Sequence, residues 1–359
     1  MNAKIGGTGS CLGEKEYSNF DLWGWGEIKE GFDIGHWKIK LPHLQNDAAV
    51  FDAAVRQITG IEKRRFSPEK GAEELGAEAA AIAMDDAGVK ASDLDLILVS
   101  TFTPDKEIPP PGQTIGHLIG APHSAAMTHN ETCSSFIYSL YTGFNALQTG
   151  NCENILIVAT DKLSRETNFQ DYATAYLFGD GAGAVILQAD QEGGMVCPPW
   201  VGSDYSEESH ILKYYAEKIT MGGGKNVLKA AVEAMAASAH NALLYYNLGE
   251  QFGYSYKKIR EHFEELKEQH PLEELLKNID CIIPHQANGR ITESLAKKMG
   301  YGNLSKFANT IGQIGNTSAG SQPISMDMLI QQGRIARGDK ILLTAVGGGY
   351  TLGAAVLRY

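Results

Sequence analysis

What most constrains this chain is an order of strands that occurs twice. Asp93-Leu94-Asp95-Leu96-Ile97-Leu98-Val99-Ser100 is an apolar run between polar flanks, and residues 154–160 and 183–187 carry two more runs of the same kind. Short apolar runs bounded by turn signals read as strands buried on both faces. In the second half, residues 279–285, 340–345 and 353–357 repeat the order. The first and second strands stand about 60 residues apart in both halves. Residues 71–88, rich in Ala and Glu and closed by glycine, read as a helix. So do residues 134–150, with Phe136, Ile137, Leu140, Tyr141, Phe144 and Leu147 at helical spacing. The reading is an internal duplication of an α/β unit, residues 1–189 and 190–359. Short apolar strands also resemble one another by chance, so the pattern alone leaves coincidence open.

With 359 residues, 43% of them apolar, the chain is long enough for such a double core. Its formal net charge of −12 argues against general binding of nucleic acid, which needs a basic face. Lys297-Lys298, Arg334 and Arg337 are candidates for a local basic patch facing an acidic carrier protein. The five cysteines (Cys11, Cys133, Cys152, Cys197, Cys281) are scattered, odd in number and without CxxC spacing. That pattern speaks against a metal site and a disulfide framework, and fits reduced thiols in a cytoplasmic protein. No apolar run approaches the ~18 residues of a membrane span, and the first residues resemble no secretory signal. A soluble, cytoplasmic protein without membrane association is expected.

Between the halves the pattern is less regular. Residues 191–194 and 203–208 read as turns, and Met221-Gly222-Gly223-Gly224-Lys225 as a loop opening a helix over 226–239. Residues 261–277 alternate in charge and read as a solvated helix face.

Three residues carry the chemistry. Cys133 stands where the apolar helix begins, and a thiol there feels the positive end of the helix dipole, which favours thiolate. His285 ends a buried strand, where open α/β sheets place ligands. Asn316 lies in Gly315-Asn316-Thr317-Ser318-Ala319-Gly320, ahead of a helix over 323–331. Each also has a plain structural reading: a small buried thiol, a packed or surface histidine, and a turn with an N-cap. Taken with the duplication, Cys133 and Asn316 fall at equivalent strand–helix corners facing each other, with His285 at the end of the strand between them. A thiol, an imidazole and a carboxamide then converge on one thioester.

These residues lie in a series of motifs: Thr59-Gly60-Ile61, Glu131-Thr132-Cys133-Ser134-Ser135-Phe136, Phe178-Gly179-Asp180-Gly181-Ala182-Gly183-Ala184, Pro284-His285-Gln286-Ala287-Asn288, Gly315-Asn316-Thr317-Ser318 and Gly347-Gly348-Gly349. In kind, order and spacing, across nearly the whole chain, they resemble the ketoacyl synthase III family of the thiolase superfamily. The resemblance implies a five-layer αβαβα thiolase-like fold, a homodimer, and no metal or organic cofactor. It implies that Cys133 accepts an acyl group from a thioester, with the backbone N–H groups of Cys133 and Gly349 as oxyanion donors. A malonyl thioester, usually on acyl carrier protein, then loses carbon dioxide while His285 and Asn316 stabilise the enolate that attacks the acyl group. Ile108, Asn288, Arg290 and Gly348 are implied as substrate-binding positions. The product would be a 3-oxoacyl thioester, in fatty-acid initiation or a specialised polyketide-like pathway.

The chain departs from the family in places. Members primed by acyl-CoA usually hold a tryptophan and an arginine shortly before Thr-Gly-Ile; this chain has Ala54 and Ile58 there. A further arginine is replaced near Asp171-Tyr172. These changes point to a carrier-bound acyl donor, or to a different way of holding CoA. Residues 21–44 are longer than usual and carry Trp23, Trp25 and Trp37, either as a packed surface lobe or as a substitute rim for the donor or a partner protein. Ile108 lies in a loop that in relatives closes the partner's acyl pocket. Glu107 beside it leaves open a non-decarboxylative Claisen condensation with Glu107 as base. Simple acyl transfer from Cys133 to an alcohol or amine is the other alternative, against which Asn316 argues.

Overall fold

The computed structural model describes residues 2–190, 198–204, 211–212, 217–221, 225–249 and 256–359. Each half builds one large sheet. The first runs in the order β1 (Asn2–Leu12), β5 (Asp180–Asp190), β4 (Asn154–Lys162), β2 (Leu96–Ser100) and β3 (Ala125–His129). Strand β2 is parallel to β3 and β4, whereas β5 is antiparallel to β4 and β1. The second sheet runs β6 (Trp200–Ser203), β9 (Thr351–Arg358), β8 (Lys340–Gly347) and β7 (Cys281–Pro284). Phe307 adds one parallel bridge to Ile282 of β7, where β3 stands beside β2. The two orders correspond strand for strand.

Alternation along each strand accounts for the layering. In the first sheet Leu96, Leu98, Ile155, Ile157 and Val185 face inward, while Ile97, Val99, Leu156, Val158 and Ile186 face outward, and all are buried. In the second, Ile283, Ile341, Leu343 and Ala355 face inward and Ile282, Leu342, Ala354 and Val356 outward. A strand buried on both faces must be covered twice. Helices α4 (Ser135–Gln148) and α7 (Ser321–Gln331) fill the space between the sheets with Phe136, Leu140, Phe144, Met326 and Leu329. Helices α2 (Ala72–Ala87) and α3 (Pro111–Leu118) cover the first sheet outside; α5 (Lys225–Leu248) and α6 (Gly289–Lys298) cover the second. The result is the five-layer αβαβα architecture. Each fully buried Leu, Ile or Phe contributes about 1.5–3 kcal/mol against exposure, so this doubled core dominates the stability.

Strands β1 and β3 are absent from the sequence reading. In β1 the cause is glycine: a Cβ on Gly7 or Gly9 would fall 2.4 Å from the carbonyl oxygens of Ala83 and Ala79, so α2 packs directly on strand backbone. Other expectations need correction. Helix α5 runs to Leu248 rather than 239, because Leu243, Leu244 and Tyr245 are buried. Residues 261–277 are not one solvated helix. They lie across short helices, Tyr256–Glu261, Phe263–Gln269 and Leu272–Leu275, whose Ile259 and Leu266 pack under α5. Residues 191–194, 205–208 and 222–224, with Cys197, lie outside the described residues.

The tryptophan-rich segment forms short helices, Asn19–Trp23, Gly26–Gly31 and Ile34–Lys40, packed on α1 (Asp47–Thr59). Leu22, Ile28, Phe32 and Trp37 share a buried core with Phe51, Ala54 and Val55, and Trp23 and Trp25 pack against it. Of the residues considered for a basic patch, Lys298 alone is in an ion pair among the described residues, and the two arginines bond backbone carbonyls while staying exposed. Arg337 donates to the carbonyls of Ile5 and Gly6, Arg334 donates to the carbonyl of Phe307, and Lys298 pairs with Glu233. Among the described residues no helix is long and apolar enough to cross a membrane.

Candidate active site

Two short turns meet where the halves face each other. Thr132–Ser134 leads into α4, and Ser318–Gly320 leads into α7. Each opens on a non-glycine residue in the left-handed region, Thr132 and Ser318 both at φ 51. Such residues cost on the order of 1–3 kcal/mol and persist where the surroundings over-determine them. The two turns pack against each other. Their correspondence refines the expected symmetry: Thr132 matches Ser318 and Cys133 matches Ala319, so Asn316 stands two residues ahead of its turn.

Ser318 donates a hydrogen bond from Oγ to Cys133 Sγ at 3.6 Å. Its N–H donates to Asn316 Oδ1 at 2.8 Å. With its oxygen held, the Asn316 amide presents its NH2 end for donation. The Asn316 backbone is fixed in turn: its N–H donates to the Leu177 carbonyl at 2.9 Å, and its carbonyl accepts from Gly179 N–H at 3.0 Å. His285 directly follows β7 and is 2% exposed. Its Nδ1 lies 2.8 Å from Ser321 Oγ, which also accepts from Gln286 N–H at 3.3 Å. A Ser321 hydroxyl that donates to Nδ1 places the ring proton on Nε2. One stretch of chain, residues 318–321, thus anchors the sulfur, the amide and the imidazole.

Electrostatics correct the expectation for the thiol. Cys133 lies in the 3₁₀ turn ahead of α4, and although the residue keeps some accessible surface, desolvation pushes its thiol up to about 12. The hydrogen bond from Ser318 opposes this and the charge of Asp161 adds to it. Burial also lowers His285 to about 4, so its imidazole is neutral near pH 7 and suited to donating a hydrogen bond rather than accepting a proton.

The Gly347-Gly348-Gly349 loop reaches the same corner. A Cβ on Gly347 would stand 2.3 Å from Thr132 Oγ1 and 2.5 Å from the Glu131 carbonyl oxygen. Gly349 adopts φ 79, and Thr132 Oγ1 donates to the Gly348 carbonyl at 3.5 Å. Other expected positions lie further out. Asn288 caps α6, its side chain accepting from Arg290 N–H, and Arg290 Nε donates to the Gln57 carbonyl. Ile108 is 84% exposed and Glu107 is exposed, so neither closes over Cys133 within this chain. A surface depression lined by Gly112, Gln113, Gly116, His117 and Ala125 lies beside β3, with none of the candidate catalytic residues on its wall.

Sequence reasoning missed Ser318, Ser321 and Asp161. Ser318 stands inside the Gly315–Gly320 motif, where it reads as part of a turn, and Ser321 lies one residue beyond it. Asp161 had one visible signal, a carboxylate at the polar end of an otherwise apolar strand.

A family model for 3-oxoacyl-[acyl-carrier-protein (ACP)] synthase III matches residues 127–204, and the model for its C-terminal part matches residues 274–359. The beta-ketoacyl-[acyl-carrier-protein] synthase III 1 of Bacillus cereus is 36% identical over 360 residues, covering 100% of this chain and 99% of the relative. The beta-ketoacyl-[acyl-carrier-protein] synthase III of Staphylococcus saprophyticus is 35% identical over 86% of this chain and 90% of its own. The crystal structure of 3-oxoacyl-[acyl-carrier-protein] synthase III from Aquifex aeolicus matches with a TM-score of 0.81 at 30% identity, covering 99% of this chain and 100% of that one.

Proposed function

The chain belongs to the 3-oxoacyl-[acyl-carrier-protein] synthase III family, and on that premise we propose that it joins an acyl group carried on Cys133 to a malonyl thioester with loss of carbon dioxide. In this reading Cys133 attacks an acyl thioester and expels its thiol, and the backbone N–H groups of Cys133 and Gly349 receive the oxyanion. A malonyl thioester on acyl carrier protein enters next. As carbon dioxide leaves, His285 Nε2–H and the Asn316 NH2 donate to the thioester oxygen on which enolate charge develops. The enolate carbon attacks the acyl carbonyl, and collapse returns Cys133 with a 3-oxoacyl product.

The observation that supports this reading is that residues 318–321 contact all three groups: Ser318 bonds Cys133 Sγ and Asn316 Oδ1, and Ser321 bonds His285 Nδ1. No metal or organic cofactor enters the scheme. The division of the duplication at residues 189 and 190 belongs to the same reading.

For the donor, a carrier-bound acyl group is favoured over a CoA ester. Ala54 is buried beneath the tryptophan-rich lobe, and Tyr172 packs its ring against Phe32 and edge-on to Tyr176 rather than leaving a cationic rim. Arg290 remains as a cation for a phosphate, with Asn288 and Gly348 along the path of the thioester. The enzyme acts as a homodimer in this account. Strand β3 is an edge strand whose Met127 is 51% exposed, and a second copy seated there would cover it and bring in Ile108 as a wall of the neighbouring acyl pocket.

Intact-protein mass spectrometry tests the scheme. Cys133 should gain an acyl group from an acyl carrier protein donor faster than from the CoA ester, and lose it on addition of malonyl carrier protein. Robust loading by micromolar acyl-CoA would overturn the donor assignment. Loading without discharge by the malonyl thioester would favour acyl transfer to another acceptor or a non-decarboxylative condensation.

A further inference from the structure

The scheme leaves the Cys133 proton without an acceptor, since the thiol is strongly protonated and His285 is a poor base in its buried setting. Asp161, near the polar end of β4, has no part in that scheme. Its side chain is wholly buried. Oδ1 accepts from Thr101 Oγ1 at 3.1 Å, Thr103 Oγ1 at 2.9 Å and Phe102 N–H at 3.1 Å. Oδ2 is buried and has no hydrogen-bond partner among the described residues. An unsatisfied oxygen on a buried carboxylate is costly, and packing gives no reason to keep one. Among the described residues no cation pairs with it: neighbouring Lys162 donates instead to the Lys70 carbonyl, and Asp180, which lies opposite Lys162 across the sheet, is taken up by Ser67 and Ser164.

The groups that face Asp161 are three hydroxyls, one N–H and the Cys133 thiol. Ser318 lies close enough to favour the ionised carboxylate, yet in the geometry observed it donates to Cys133 Sγ. Its hydroxyl therefore stands between the nucleophile and the unsatisfied carboxylate. We propose that Asp161, acting through the Ser318 hydroxyl, takes the proton of Cys133 during acyl transfer and returns it to the departing thiol. The inference rests on Cys133 being the acylated nucleophile.

The step balances without another reactant. As Sγ bonds to the thioester carbonyl carbon, its proton passes to Ser318 Oγ while the Ser318 proton moves to Asp161 Oδ2. When the tetrahedral oxyanion collapses, the bond to the leaving sulfur breaks and that sulfur takes the electron pair. The proton then returns through Ser318 to the leaving thiolate. Desolvation pushes Asp161 up to about 6, against the hydrogen bonds it accepts, which makes it a stronger base than an ordinary carboxylate while it remains largely ionised at neutral pH. Ser318 touches the reacting sulfur; Asp161 works through it.

The test compares wild type with Ser318→Ala and Asp161→Asn in single-turnover acylation from about pH 5 to about pH 9, with iodoacetamide alkylation of Cys133 measured in parallel. Ser318→Ala leaves the hydrogen bonds from Thr101, Thr103 and Phe102 untouched, so it reports even where Asp161→Asn fails to fold. The wild-type rates should rise through an inflection near the Asp161 ionisation. Either variant should slow acylation about 100-fold or more near neutral pH and abolish that inflection, with the rate recovering only at alkaline pH. Unchanged acylation, or a uniform loss at every pH with the inflection kept, overturns the relay. Alkylation separates the two readings: if no thioester acylates wild type the condensation scheme fails, while the alkylation profile still tests the relay.

Discussion

At the scale of single residues, burial rather than charge pairing sets the site's chemistry. It raises the Cys133 thiol and the Asp161 carboxyl and lowers His285. The Asp161 shift has a consequence for stability. Folded Asp161 holds its proton to about pH 6, whereas an unfolded aspartate releases it near ~3.9. Its contribution is therefore fully present below about pH 4 and is lost as pH rises through about 6, a change of roughly 3 kcal/mol. His285 acts the other way, contributing above about pH 6.5 and losing that as pH falls toward 4. Urea unfolding of wild type and Asp161→Asn at acid and alkaline pH separates the two. The stability of wild type relative to the variant should fall between about pH 4 and about pH 7 and level off above; parallel profiles would contradict an ionising, buried Asp161. Cys133, His285 and Asn316 were legible because each stands in a motif at a strand or helix end. Ser318, Ser321 and Asp161 were not, because their meaning depends on partners far away in sequence.

At the scale of elements, the loop after β2 links Asp161 to the exposed Glu107 and Ile108. Its first residues hold Asp161, and Asp105 is tied to α2 and to Arg165. Burial, together with the neighbouring Asp105 carboxyl, pushes Glu73 up to about 7. Burial alone would raise Asp105, but hydrogen bonds from Glu73, the backbone of Ala72 and Glu73, and Arg165 outweigh it and hold it low. Below about pH 7 the pair shares a proton, and above it two carboxylates meet with Arg165 as the cation. Hydrogen exchange in residues 103–110, corrected for intrinsic rates, should quicken between about pH 6 and about pH 8. Glu73→Gln should remove that change, and an unchanged profile in wild type would rule out the latch. The loop's length and prolines were visible in sequence; its clasp to α2 was not. Strands β2, β4, β5 and β7–β9 were legible through apolar runs. Strand β1 was hidden by glycines that admit α2, and β3 by its exposed Ala, Met, Thr and His content.

At the scale of the whole molecule, duplication explains why a site exists at this place. Two sheets of equal strand order back onto α4 and α7, and each helix starts from a strained turn at the join. One turn presents a sulfur; the other presents the groups that hold an amide and an imidazole beside it. The repeated strand order in the sequence announced this arrangement, and only the three-residue offset between Cys133 and Asn316 escaped it.

The most direct test of the account is a single turnover of enzyme acylated on Cys133 with malonyl carrier protein, following carbon dioxide and the 3-oxoacyl product together. One carbon dioxide should appear for each acyl group lost from Cys133 and each 3-oxoacyl chain formed. Asn316→Ala and His285→Ala should slow its release by about 10²–10³-fold while Cys133 still loads. Discharge of the acyl group without carbon dioxide, or undiminished release in both variants, would contradict the account.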